Sequence, residues 1–358
     1  MKSNPAYIPS LDGLRAISIA IVFLSHAGLG HIVPGGFGVT VFFFISGFLI
    51  TSLLCREYDR YGSISLRVFY LRRVLRLMPP LACAMGLAIV LVLAGALVAK
   101  IDIPTLLSQI FFLSNYYQIY GNSQSIPGLG VLWSLAVEEH FYMLWPFIFI
   151  LFARNIIGFR SLTLALIGFL VWRGIRFYVL GSSENALYYL SDARLDSLLY
   201  GCVLALMMWC GYLPRENVST KWRGALLVGA LGVLLVSLVL RDAAFRGTLR
   251  YSLQSLALMP VFYYAVTTPD MALFRPLNWP VLRKIGVWSY SIYLVHFVLI
   301  NLFNQQITGA HAHLISGGLA LIGSLVYAAV VYHFVEVPSA RFRHKITRRA
   351  PKGEPVGA

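Results

Sequence analysis

The chain has 358 residues, of which 58% are hydrophobic and only 12% are charged, and its formal net charge is +15. Soluble domains carry about 25% charged residues, so this composition, with a mean hydropathy of +0.74, excludes an ordinary soluble domain and predicts a polytopic helical membrane protein. A basic excess in such a protein usually lies in cytoplasmic loops, so we expect no nucleic-acid partner. The four cysteines show no CxxC spacing, and nothing indicates a disulfide framework or a metal site.

A spanning helix needs about 20 mainly apolar residues. Segments of this kind are 11–31, 36–54, 78–98, 104–120, 133–153, 161–180, 195–212, 224–240, 251–268, 285–304 and 313–335. The fourth is short and polar; if it does not span, most of the 29 Lys and Arg residues fall on the cytoplasmic side, and if it does, that bias disappears. We therefore predict an all-α bundle of about ten transmembrane helices around a central polar cavity, with both termini cytoplasmic. Residues 99–132 are expected to form an extracytoplasmic or partly re-entrant excursion that covers the cavity.

The first segment carries Arg15 near its start and His26 near its far end. Eleven positions on an α-helix amount to three turns and about 20°, which predicts both side chains on one face, about 16 Å apart along the axis. Two ionisable groups on one face of a membrane helix are costly unless that face lines something polar. The alternative is that Arg15 reaches the interface while His26 is satisfied in a core. We interpret the segment as a retained helix and not as a signal peptide.

The second segment is rich in small residues, among them Ser46 and Gly47 in GGFGVTVFFFISGFLI at 35–50. Small residues let helices approach closely, so this segment is either a packing surface or a narrow wall beside the first helix.

The stretch at 64–80, ISLRVFYLRRVLRLMPP, predicts an amphipathic cytoplasmic helix, and its two prolines are expected to start the next span. Arg72, Arg73 and Arg76 fall within about one turn of this helix. They either contact anionic lipid or bind the phosphates of a ligand, because arginine suits bidentate phosphate recognition.

Two adjacent carboxylates, Glu138 and Glu139, lie in the apolar stretch VLWSLAVEEHFYMLWP. Intramembrane acids are hard to explain as packing. Neighbours on a helix are about 100° apart, so one acid is expected to face the bundle interior and the other a loop or the interface. Trp133 and Tyr142 in the same stretch are equally consistent with an interfacial aromatic belt.

Two later stretches also carry polar residues. In SDARLDSLLYG at 191–201 the charged residues are interpreted as a surface cap. Arg173 and Arg176 of the preceding span are possible partners for these or other acids, and the sequence alone does not pair them. In KIGVWSYSIYLVHF, Tyr293 and His296 share a helix face, which indicates either helix packing or contact with a ligand.

Taken in order, these stretches resemble the acyltransferase 3 family of integral-membrane O-acyltransferases. The resemblance covers nearly the whole chain and also includes the closing stretches IGVWSYSIYLVHF and VEVP. The positions that match its first-helix, RxxR and W-S-L-x-x-E-x-x-F-Y motifs are Arg15, His26, Arg73, Arg76, Trp133, Ser134, Glu138, Phe141 and Tyr142.

The resemblance implies transfer of an acyl group, most often acetyl from acetyl-CoA, to a hydroxyl of a carbohydrate or lipid-linked sugar, as in polysaccharide modification at a bacterial cytoplasmic membrane. Some members carry an additional SGNH-type esterase domain. We expect the stand-alone form here, with an acyltransferase 3-like transmembrane domain at 1–338 and a basic cytoplasmic tail at 339–358.

The resemblance also suggests roles for individual residues. His26 would act as general base or as transient acyl carrier, with Glu138 orienting its imidazole. Arg15, Arg72, Arg73 and Arg76 would bind the phosphates of the acyl-CoA donor, and no metal is expected. Residues expected to line the substrate site are Ser46, Trp133, Ser134, Glu139, Tyr142, Tyr293 and His296.

A membrane transporter or flippase is the alternative function, since buried His, Glu and Arg also suit proton relays. Transporters often show internal repeats. The two halves of this chain show no convincing self-similarity, which counts modestly against transport.

Overall fold

A computed structural model describes residues 8–213, 220–309 and 311–346. These residues form α-helices joined by short turns, with no strand among them, which confirms the predicted all-α class. In chain order the helices are α1 (Pro9–Leu24), α2 (Gly35–Tyr61), α3 (Leu66–Leu93), α4 (Ile103–Ile110), α5 (Ser114–Tyr120), α6 (Trp133–Ala153), α7 (Phe159–Tyr178), α8 (Glu184–Tyr189), α9 (Ser191–Trp209), α10 (Thr220–Val239), α11 (Ala243–Gly247), α12 (Arg250–Thr267), α13 (Pro280–Gln306), α14 (Ala312–Val331) and α15 (Val337–Ile346).

Eight helical segments in the described part of the chain are long and apolar enough to cross a membrane, which makes the protein a polytopic membrane protein. Helices α9 and α12, which the sequence analysis counted as spans, are not among the eight, so a count of about ten stays a prediction. The doubtful segment 104–120 forms the two short helices α4 and α5. Each has at most 8 residues, far fewer than the roughly 20 that a span needs.

The prediction that Pro79 and Pro80 start a new helix is wrong. Helix α3 runs without a break through both prolines, so the basic stretch and the following apolar segment form one helix of 28 residues. Proline removes one backbone donor and usually ends a helix in water. Inside membrane helices proline is tolerated because neighbouring groups satisfy the freed carbonyls.

The chain divides into two compact units. Unit 1 comprises residues 1–49 and 159–289, and unit 2 comprises 50–158 and 290–358. The core of unit 1 joins α1, α2, α9, α10 and α12, with Phe44 and Phe262 in ring contact at 4.5 Å. A Cβ atom added to Gly47 would collide with the Leu198 carbonyl, and one added to Gly201 would collide with the Phe44 carbonyl. The backbones of α2 and α9 therefore touch, as small residues allow.

Two ion pairs, one fully buried and one half-buried, tie α7 to α9 within unit 1. Arg173 lies 2.8 Å from Asp196, with both side chains fully buried, and Arg176 lies 2.6 Å from Asp192. The sequence left the partners of these two arginines open, and the structure identifies them as Asp196 and Asp192. The prediction of a surface cap is wrong, because Asp196 and the neighbouring Arg194 have no exposed surface; sequence spacing does not reveal that α7 covers this face.

The core of unit 2 joins α3 with the α5–α6 connection and α13. Gly128, with a φ of 96°, lets its backbone lie directly against that of Val298. The Tyr290 hydroxyl donates to the Leu77 carbonyl at 3.0 Å, which fixes α13 against α3.

Candidate functional site

His26 lies in a π-helical turn, Ser25–Leu29, that follows α1. The turn ends the regular helix because Gly28 adopts a φ of 103°, which a residue with a Cβ atom rarely does. Its imidazole is half-buried. Single π-helical turns occur often at functional sites. The prediction of one uniform α-helix through 31 is therefore wrong, and the shared face of Arg15 and His26 no longer follows from helical periodicity.

Arg15 is half-buried in α1, and its Nη1 lies 3.8 Å from Asp12 Oδ1, one turn earlier. The distance is long for an ion pair, and both side chains are mostly shielded from solvent. Ser46 is half-buried in the middle of α2. Together with His26, these residues are the predicted site residues that belong to unit 1.

The other predicted site residues belong to unit 2, where Arg73 of α3 meets α6. The guanidinium carbon of Arg73 lies 4.4 Å from the ring centre of Tyr142, and the Tyr142 hydroxyl donates to Glu138 Oε2 at 3.0 Å. The charges of Glu138 and Glu139 both interact with that of Arg73. The prediction that the two acids diverge therefore misses their shared partner, because the long Arg73 side chain reaches both.

The basic segment of α3 has an additional neighbour that the sequence analysis missed. Arg343 of α15, a helix that packs on α3, interacts electrostatically with Arg72, Arg73 and Arg76. Arg72 and Arg76 are exposed, whereas Arg73 and Arg343 are half-buried. Four arginines thus interact with one another, and one of them, Arg73, also interacts with the two carboxylates. A group of arginines favours a polyanion.

A second hydrogen-bonded group joins α6 to α13. The Tyr293 hydroxyl lies 2.7 Å from Ser134 Oγ and donates to the Val131 carbonyl at 3.0 Å. The fully buried His296 has its Nδ1 2.7 Å from the Tyr293 carbonyl. Trp133 is buried beside this group. Tyr293 and His296 therefore contribute to one group, and the Tyr293 hydroxyl and His296 Nδ1 both bond to protein atoms.

Glu336, at the end of the last long helix, accepts a hydrogen bond of 2.5 Å from the fully buried Ser291. Tyr290 interacts with Glu138, Glu139 and Glu336. Unit 2 therefore gathers arginines, acids and tyrosines from α3, α6, α13 and the segment around Glu336. Because His26 belongs to unit 1 and Glu138 to unit 2, their pairing stays a prediction.

These features define a multi-pass helical membrane protein with ionisable groups placed inside its apolar helices. The family model described as an acyltransferase domain matches residues 8–333, which is nearly the whole chain. The chain therefore belongs to the acyltransferase 3 family, as the resemblance of its motifs predicted.

Relatives among curated bacterial proteins agree with this family. The peptidoglycan O-acetyltransferase OatA of Listeria monocytogenes is 29% identical over 355 residues, covering 93% of this chain and 56% of the relative. The O-acetyltransferase OatA of Staphylococcus aureus is 31% identical over 372 residues, covering 98% of this chain and 60% of the relative. A putative O-acetyltransferase of Staphylococcus aureus is 30% identical over 350 residues, covering 93% of this chain and 57% of the relative.

The chain thus spans less than two thirds of the length of these curated relatives. No solved structure matches it.

Proposed function

We propose that the protein is a membrane O-acyltransferase that moves an acetyl group from acetyl-CoA to a hydroxyl of a carbohydrate or lipid-linked sugar. The observation that carries this proposal is the family match over residues 8–333, together with relatives that are named O-acetyltransferases. We place the protein in the bacterial cytoplasmic membrane with both termini cytoplasmic, and we retain 1–338 as the transferase domain and 339–358 as its tail.

The donor would bind at the arginine cluster of α3. Acyl-CoA carries several phosphates, and Arg72, Arg73 and Arg76 interact with Arg343 in one electropositive group. Arginine donates paired hydrogen bonds to phosphate oxygens. Arg15 would contribute to the same donor site.

His26 would carry the chemistry by one of two routes. As general base, its neutral imidazole takes the proton of the acceptor hydroxyl, the oxygen attacks the thioester carbon, and the C–S bond breaks to release the CoA thiolate. As nucleophile, the imidazole nitrogen attacks the thioester and releases the thiolate. The acceptor oxygen then displaces the imidazole and completes the transfer. In both routes the thiolate finally takes up the proton that the hydroxyl lost.

Unit 2 would support this chemistry. Glu138 would orient the imidazole, while Tyr142 holds the carboxylate through a hydrogen bond of 3.0 Å. The substrate site would be lined by Ser46, Trp133, Ser134, Glu139, Tyr142, Tyr293 and His296.

The test uses the full chain, purified in lipid nanodiscs, with radiolabelled acetyl-CoA and a panel of peptidoglycan fragments, lipopolysaccharide and neutral glycans. Label on a glycan supports transfer, and label retained on denatured wild-type protein but absent from H26A supports the covalent route. If no glycan and no protein becomes labelled, the transferase proposal fails, and transport is tested next with the same nanodisc protein in liposomes.

A further inference from the structure

Unit 1 contains two fully buried arginines, Arg173 and Arg194, whose surroundings differ. Arg173 Nη1 lies 2.8 Å from Asp196 Oδ2. Its other nitrogens donate to the Thr248 carbonyl at 2.8 Å and to the Ser252 hydroxyl. Ser252 donates in turn to the same Asp196 oxygen at 2.7 Å. Arg173 and Asp196 therefore form a neutral pair that is bonded through Asp196 Oδ2, while Asp196 Oδ1 has no hydrogen-bond partner within the described part of the chain.

Arg194 has no such partner. Its Nη2 donates to Thr40 Oγ1 at 3.0 Å, but the buried Nε and Nη1 have no hydrogen-bond acceptor within the described part of the chain. The guanidinium carbon lies 3.8 Å from the ring centre of Tyr251 and 5.3 and 5.4 Å from those of Tyr188 and Phe43. Aromatic rings stabilise a cation but carry no negative charge, so a positive charge remains in the interior of unit 1. We call Arg194 and the rings of Phe43, Tyr188 and Tyr251 the cage.

The acids of α8 and of the first turn of α9 have arginine partners. Glu184 lies 2.7 Å from Arg246, and Asp192 lies 2.6 Å from Arg176. Asp196, whose charge attracts Arg194, is held by its bonds to α7 and α12.

Arg250, the first residue of α12, adds a second cation. It precedes Tyr251 and is half-buried. Arg246 and Arg194 repel its charge, and Glu184, which is itself paired with Arg246, attracts it. Within the described ranges, neither Arg194 nor Arg250 has a carboxylate oxygen inside 4.0 Å. Two like charges held together in an environment of low polarity raise the free energy unless an anion binds beside them.

The first turns of α2 contact both the cage and the turn that carries His26. Thr40, which accepts from Arg194, donates to the Gly36 carbonyl at 3.2 Å. A Cβ atom on Gly36 would lie 3.1 Å from the Tyr188 ring, and one on Gly35 would lie 2.6 Å from Ser25 Oγ. Ser25 directly precedes the candidate catalytic histidine.

We propose that Arg250 binds an anionic group of the acceptor, either a carboxylate or a phosphate, and that the charge of Arg194 strengthens this site from beneath. Arg250 is half-buried and therefore partly exposed, whereas the fully buried Arg194 acts only through its electric field. The bound anion would hold the acceptor on the side of unit 1 that carries His26. This inference rests on the proposed acyltransferase function and narrows its acceptors to anionic glycans.

The kinetic test compares R250Q and R250K with R160Q, a control at an exposed arginine of α7 in the same unit. Each variant is assayed as the full chain in phosphatidylcholine nanodiscs with three oligosaccharides that differ only in carrying no charge, one glucuronate or one phosphate. We expect R250Q to lower kcat/KM for the two anionic acceptors about tenfold relative to the neutral one. R250K should recover most of this preference, and R160Q should keep all of it. An equal loss on all three acceptors, or no loss, overturns the proposal.

Repeating the kinetic assay in nanodiscs that contain phosphatidylglycerol shows whether the site binds the acceptor or a lipid headgroup. If R250Q changes only the response to the anionic lipid and leaves the acceptor preference intact, the site holds a lipid headgroup, and the acceptor assignment is wrong.

A binding measurement without turnover separates this inference from the proposed function. Glucose 1-phosphate and glucuronate should raise the Tm of the wild type but not of R250Q, and glucose should raise neither. If wild type acetylates no acceptor but shows this pattern, the transferase proposal fails and the anion site stands. If neither anion stabilises the wild type, the anion site is refuted whatever the enzyme assay shows.

Discussion

Arg73 and Tyr142 join the basic segment of α3 to the acidic segment of α6, with the guanidinium carbon 4.4 Å from the ring centre. The Tyr142 hydroxyl donates to Glu138, so a donor-binding candidate and a catalytic candidate share one tyrosine. Replacing Tyr142 by Phe keeps the ring and removes the hydrogen bond. We expect kcat to fall about fivefold, as for the loss of about 1 kcal/mol, while KM for acetyl-CoA stays constant. Y142L should also raise that KM, because it removes the ring; an unchanged KM in Y142L would mean that Arg73 does not need the ring.

The arginines of α3 offer a matched comparison for donor binding. R73Q and R76Q should each raise KM for acetyl-CoA about tenfold, since each removes a charge-assisted contact to phosphate. R67Q, on the same helix at an exposed position before the cluster, should leave KM unchanged. Steady-state kinetics over a range of acetyl-CoA concentrations measures this difference. An equal KM for all three variants would place the donor elsewhere.

The contact between α2 and α9 predicts which glycines tolerate a methyl group. G47A should lower the free energy of unfolding by about 1–3 kcal/mol, because its Cβ atom would collide with the Leu198 carbonyl. G168A, where no atom lies within 4 Å of the added Cβ atom, should leave stability unchanged or slightly higher. Thermal unfolding in detergent compares the two, and equal midpoints would contradict the close backbone packing.

Cys210 tests the predicted orientation. It is exposed just after α9, whereas Cys55 and Cys202 are buried, and the charge distribution predicts a cytoplasmic position for it. In a C83S variant, a membrane-impermeant maleimide should label inside-out vesicles and not intact spheroplasts, with detergent-solubilised protein as the control for reactivity. Labelling of intact spheroplasts would show that Cys210 is extracytoplasmic and that the predicted topology is wrong.

Local sequence patterns predicted much of this structure, because the length of an apolar segment and the charges that flank it can be read from the local sequence. They indicated the all-α membrane class and the interruption at 104–120, and they left the arginine partners of Asp192 and Asp196 open. They failed where distant segments decide the outcome: the burial of Arg194 depends on rings contributed by α2, α8 and α12.

Two features of the candidate site were missed for related reasons. Arg343 follows the predicted transmembrane domain in sequence and joins the α3 cluster only because α15 packs on α3. The π-helical turn at His26 interrupts a stretch that is apolar enough for a regular helix, and its main sequence signal is Gly28.

The acetylation rate of H26A tests the central claim most directly. Wild type, H26A and H313A, a control at an exposed histidine, are compared with radiolabelled acetyl-CoA at matched amounts of folded protein. We expect H26A to lose at least about a hundredfold in kcat, as removal of a general base or nucleophile does, while H313A keeps the wild-type rate. Transfer by folded H26A at the wild-type rate would contradict it.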